Sequence, residues 1–119
     1  MTEQHQSSGF VEVSPAAIAT IAGQAAMQCY GVVGMASKDV IRGLSNRIAP
    51  DPRHGVDVIV RGQQLIIDLY VIVEYGTRIQ AVADSLADAV RFNVETTLGW
   101  PVDAVNVHVQ GLRISNTDF

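Results

Sequence analysis

Cys29, three histidines and one aspartate pair are the side chains in this sequence that could do chemistry beyond packing. A nucleophilic or redox-sensing cysteine needs a thiolate, and a thiolate needs positive potential nearby. Cys29 falls instead on an apolar helical stripe near a helix C-terminus, where backbone carbonyls present negative potential. Its expected role is that of a small buried hydrophobe. His5, His54 and His108 show neither HxH nor HxxxH spacing, and there is no second cysteine. No metal-ligand pattern can be read from them. A pairing of His54 with His108 would require folding to bring a turn and a strand together. Asp84 and Asp88 stand one helical turn apart and could hold a cation. With Arg91 close by, a solvated charged face is the expected arrangement. Gly31 and Gly34 are not followed by the Gly-Lys-Ser/Thr of a phosphate loop. No catalytic, cofactor-binding or metal-binding residue is assigned, and the chain is not expected to be an enzyme.

The remaining chemical feature is charge. Four of the eight basic residues, Lys38, Arg42, Arg47 and Arg53, fall between positions 38 and 53. They form a candidate docking patch for an acidic partner, anionic headgroups or RNA. No aromatic residue is interleaved there, so base stacking is not supported. The net charge of −4 also argues against a dedicated nucleic-acid binder. One cysteine excludes an internal disulfide. The polar start, residues 1–8, reads as a disordered tail without a signal peptide's apolar region. No apolar run approaches the ~20 residues that span a bilayer.

The elements that must position these groups follow from periodicity. A chain of 119 residues, 48 % of them hydrophobic, is one domain's worth and can bury a single core. Residues 10–13 read as a short strand. Ser14-Pro15 starts a helix, with Ser14 as N-cap, that runs to about Tyr30 and stops at Gly31. Its stripe is Ile18, Ile21, Ala22, Ala25 and Cys29, and Ala19, Gly23 and Ala26 keep it slim. Residues 32–35 read as a strand. Val40, Ile41, Leu44 and Ile48 suggest a short amphipathic helix, ended by Pro50 and Pro52. Val56, Val58 and Val60 alternate, Gly62-Gln63 turns, and Leu65 to Tyr75 forms a long second strand of a hairpin. Thr77 with Gln80 forms a capping box for a second helix. Its stripe is Ile79, Val82, Ala83, Leu86, Val90, Val94 and Leu98, and it ends at Gly99. Val105, Val107 and Val109 alternate in a last strand, and Gly111 marks a bulge. The predicted fold is α+β: a two-layer sandwich, with two long helices packed on one face of a mixed sheet. Strand order is not legible.

The run Cys29-Tyr30-Gly31-Val32-Val33-Gly34-Met35-Ala36-Ser37 resembles the central signature of the alkaline-shock-protein family of bacterial envelope stress response proteins. So do Tyr75-Gly76-Thr77 with Ile79, Val82 and Ala83, then Val105-Asn106-Val107 and Val109-Gln110-Gly111-Leu112-Arg113. The similarity covers residues 9–115, followed by a short tail at 116–119. It implies a small cytoplasmic protein typical of Gram-positive bacteria and linked to envelope homeostasis and, in some branches, to lipid metabolism. It implies protein partners, among them a membrane-anchored protein or a lipid-metabolism enzyme, and supplies no catalytic residue. The expectation is a non-catalytic interaction or scaffold domain. The alternative is an RNA- or ribosome-associated domain using residues 38–53. Two helices can cover only one face of the sheet. The far face would then present Ile59, Ile66, Tyr70 and Ile72 for self-association or partner binding, unless residues 38–53 fold over it.

Overall fold

The structure, a computed structural model, describes residues 12–36 and 52–115. Helix α1 spans Pro15–Met27 and β1 spans Val32–Met35. A 3₁₀ turn at Pro52–Gly55 leads into β2, Val56–Arg61. Strand β3 is Gln64–Glu74, α2 is Ile79–Leu98 and β4 is Ala104–Arg113. The α+β class, the mixed sheet and the two helices on one face are as the periodicity predicts. The short helix expected from Val40, Ile41, Leu44 and Ile48 lies outside the described residues, as do Phe10 and Val11.

Among the described strands, all pairing passes through β3. Antiparallel β2 runs beside its first half, from Val56 opposite Leu69 to Arg61 opposite Gln64. Antiparallel β1 runs beside its second half, from Val32 opposite Val73 to Met35 opposite Val71. Parallel β4 pairs with residues 66–74. A strand has two edges, so β1 and β2 share one and β4 holds the other. The predicted bulge is present: Val71 faces Val109 and Ile72 faces Gly111, which leaves Gln110 between rungs. A one-residue register slip is prevented by the period of two, because it would swap the faces of β3.

The odd-numbered side chains of β3, Leu65, Ile67, Leu69, Val71 and Val73, are all but fully buried against the helices. Each such burial contributes roughly 1.5–3 kcal/mol. Ile18, Ala22 and Ala26 of α1 and Val82, Leu86, Val90 and Val94 of α2 complete this core. The small residues let α1 lie close, and Ala19 and Gly23 are buried with them.

Several local expectations need correction. Glu12 and Val13 are not strand, although Val13 packs against the core. The α1 cap is as expected: the Ala17 N–H donates to Ser14 Oγ at 3.1 Å. The helix stops at Met27, earlier than Tyr30, and Gln28 to Gly31 form turns. Thr77 does not cap α2. Its hydroxyl donates to the Glu74 carbonyl at 2.7 Å, which closes the corner after β3. Arg78 occupies the N-cap without a side-chain bond, and Gln80 donates to Asp84 at 3.0 Å. The helix starts one residue later than the spacing implies, so Arg78 stands at the N-cap and Thr77 falls in the preceding turn. Arg91, expected on a solvated face, and Glu95 clamp the α2–β4 connection. Arg91 donates to the Val102 carbonyl, and Glu95 accepts from the Val102 N–H at 2.9 Å.

Candidate interaction surface

The face of the sheet away from the helices carries three rows. Ile59, Ile66 and Ala104 are register partners across β2, β3 and β4. Asp57, Asp68 and Asn106 form the next row, and Tyr70 with His108 the third. Asn106 Nδ2 donates to Asp68 Oδ1 at 2.8 Å, and His108 Nε2 lies 3.6 Å from the same oxygen. The Tyr70 and His108 rings stack with centroids 4.5 Å apart at 12°. Burial pushes the Tyr70 phenol above its ordinary value, and the charges of Asp68 and Asp57 push it the same way. Tyr70 is therefore a neutral hydrogen-bond donor with an apolar ring, a combination common at protein interfaces.

Of the four residues expected on this face, Ile59, Ile66 and Tyr70 are half-buried and accessible. Ile72 is not. It is 5 % exposed, packed with Ala36 and beside Val33 and Tyr70. A register shift between Val32 and Gly34 brings Ala36 alongside, and its N–H donates to the Tyr70 carbonyl at 2.8 Å. Val33 is then turned toward Ile72, which fills the space above it.

Lys38, Arg42 and Arg47 lie outside the described residues, so the basic patch is represented only by Arg53, exposed in the 3₁₀ turn. His54 sits in that turn beside β2, whereas His108 lies on β4, beyond β3. The fold therefore separates the two histidines across its central strand. Among the described residues no group of three His, Cys, Asp or Glu is arranged to hold a metal ion. Cys29 is half-buried against the core, with Sγ donating to the Ala25 carbonyl at 3.5 Å, and burial raises its thiol. Asp84 and Asp88 are exposed on α2.

One surface escaped the sequence reading. At the end where α1 stops, β3 passes to α2 and β4 finishes, Tyr30 is 85 % exposed, Tyr75 62 % and Ile114 73 %. The Glu74 N–H donates to the Gly31 carbonyl and the Tyr75 N–H to the Arg113 carbonyl, each at 2.8 Å. Three distant stretches of chain thereby meet. The available signal was a large apolar residue beside a turn or bulge glycine: Tyr30-Gly31, Tyr75-Gly76 and Gly111-Leu112.

Fold and surface together define a small two-layer α+β domain whose two described long helices cover one face of the sheet. The chain belongs to the alkaline-shock-protein family, which has a cell envelope-related function; residues 3–114 match it. It is 44 % identical over 110 residues to the uncharacterized protein YloU of Bacillus subtilis (strain 168), covering 91 % of this chain and 92 % of that protein. An uncharacterized protein of Streptococcus pyogenes serotype M6 is 35 % identical over 108 residues, 89 % of each chain. Among solved structures, the zinc form of a MamM CTD variant superposes with a TM-score of 0.51 at 16 % identity. That match covers 85 % of this chain and 89 % of the other, and it shows a shared fold.

Proposed function

We propose that this alkaline-shock-family domain is a non-catalytic interaction module, acting as a scaffold in cell-envelope stress response or homeostasis. It binds protein partners, or further copies of itself, through the open face of its sheet. The observation that supports this reading is the composition of that face. Ile59, Ile66 and Tyr70 remain accessible around the Asp68–Asn106–His108 group, while both described long helices lie on the opposite face. Half-buried apolar side chains flanked by polar groups are the usual anatomy of a docking surface. The resemblance to envelope proteins supports a link to lipid metabolism through the partner, and a cytoplasmic position at the membrane. No helix among the described residues is long and apolar enough to cross a membrane.

The test is the double variant Ile66→Lys with Tyr70→Glu. Both side chains are accessible, so the fold should survive, as judged by thermal melting and circular dichroism. Sedimentation velocity then reads self-association, and restoration of envelope-stress tolerance in a deletion strain reads partner binding. A folded variant that neither assembles nor restores tolerance supports the proposal. A folded variant that behaves as wild type in both assays refutes it, and so does a variant that unfolds, since the face would then be core.

A further inference from the structure

Six of the eight large hydrophobic side chains that stand exposed among the described residues gather at one end of the molecule. They are Met27, Tyr30, Tyr75, Ile79, Leu112 and Ile114, from the ends of α1, β3 and β4 and the start of α2. Such clustering is unlike the single scattered hydrophobics that every surface carries. The side chains project separately from element ends and turns, and the 340 Å³ cleft beside Tyr30 is lined by Arg78 and Ala81 among others and by none of the other five. This arrangement offers no continuous apolar groove of the kind that takes a partner's helix or strand. It suits a flat, soft surface into which separate side chains can sink.

Charge selects the surface. Among the described residues, this end carries Arg78 and Arg113 against one carboxylate, Glu74. Glu74 is already engaged: Ser115 donates to it through Oγ at 2.8 Å and through its N–H at 3.0 Å. Arg113 is its register neighbour. The other described residues carry seven carboxylates against three arginines. Among the described residues, the apolar end is thus the one where positive charge prevails. Tyrosine rings with polar tips, bare aliphatic side chains and flanking arginines are the chemistry of a lipid interface. A second copy is the poorer occupant, because a two-fold contact would set these arginines against each other.

We infer that this end docks peripherally on an anionic lipid surface, Tyr30, Tyr75, Leu112 and Ile114 entering the headgroup region and Arg78 and Arg113 facing the phosphates. The inference is independent of the sheet-face reading, and the Ile66→Lys, Tyr70→Glu variant should bind lipid as wild type does.

The test is flotation of the full-length protein with vesicles of phosphatidylglycerol and phosphatidylcholine, compared with phosphatidylcholine alone, at low and high salt. The wild type should float with the anionic vesicles at low salt only. Each arginine near an anionic surface is worth ~1 kcal/mol, so Arg78→Gln with Arg113→Gln should weaken partitioning about 25-fold. Tyr30→Ser with Leu112→Ser should abolish it, since both side chains are exposed and their loss leaves the fold intact. Arg61→Gln, on β2 at the other end, should change nothing. The inference is overturned if wild type ignores anionic vesicles. It is equally overturned if Arg42→Gln with Arg47→Gln, but not the Arg78/Arg113 pair, removes binding. It also fails if Tyr30→Ser with Leu112→Ser alters only sedimentation without lipid, which would mark a protein interface.

Discussion

Gly31 joins the end of α1 to β1, and Gly31→Ala separates two costs that usually arrive together. Its φ is +90°, and an added Cβ would lie 2.7 Å from Val82 Cγ2 and 3.3 Å from Cγ1. The left-handed backbone costs an L-residue about 1–2 kcal/mol. Forcing a methyl into a packed core costs about 1–3 kcal/mol more. Val82 is 5 % exposed and β-branched on a helix, so it has essentially one rotamer and cannot swing aside. Gly31→Ala should therefore destabilise the domain by about 2–5 kcal/mol. Gly76 is the control. Its φ is +96°, but nothing lies within 4 Å of a Cβ there, so Gly76→Ala should show only the backbone cost, about 1–2 kcal/mol. Urea unfolding with unchanged m reads both values. Val82→Ala should cost less in the Gly31→Ala background than alone, because it removes the clashing methyls. Equal costs for the two glycine variants, or strict additivity of Gly31→Ala with Val82→Ala, would refute the packing argument.

Glu74 should titrate below the usual carboxylate range. The Ser115 hydroxyl lowers it most, the Ser115 N–H and Arg113 act in the same direction, and burial opposes them. A depressed folded value means that Glu74 stabilises the fold above its unfolded value and loses that contribution as pH falls through the folded one. Carboxyl NMR should show this, and Ser115→Ala should raise the value; an ordinary or elevated Glu74 in wild type would contradict the geometry. Asp103 extends the ladder by side chain: Oδ2 accepts from the Leu65 N–H at 2.7 Å, while its own N–H donates to the Leu65 carbonyl at 2.8 Å. Asp103→Ala should cost about 1–3 kcal/mol by orphaning that N–H. The Leu65 amide should exchange faster with solvent, and unchanged exchange would show that water replaces the carboxylate.

Periodicity revealed the core because burial imposes it. The alternation from Leu65 to Val73 and the four-residue steps from Val82 to Val94 are consequences of one face meeting the other layer. The bulge was legible because apolar parity breaks at Gly111. What stayed hidden depended on contacts between distant residues. Ile72 reads as an outward side chain of β3, and only the shift in β1 that brings in Ala36 buries it. Thr77 and Gln80 have capping-box spacing, yet α2 begins only at Ile79, which leaves Thr77 in the corner after β3. Arg91 and Glu95 look solvated until Val102 is placed beside them. The open face was legible in Ile59, Ile66 and Tyr70, whereas the Tyr70–His108 stack required the parallel register of β4. The aromatic end required knowing which turns are neighbours.

With β3 as the common member of every ladder among the described strands, the order in which they assemble is constrained. The β2–β3 hairpin closes over a two-residue turn and is the most local pairing available. Strand β4 can dock only after the intervening 20-residue helix has formed or collapsed, because its rungs reach back 38 positions to β3, or 39 beyond the bulge. Strand β1 must likewise wait for the far half of β3. A chain emerging from the ribosome therefore holds α1 and β1 without a template until residue 74 has been made. Until then their apolar faces are open to other molecules, which makes early synthesis the stage at which this fold is most exposed to misassembly.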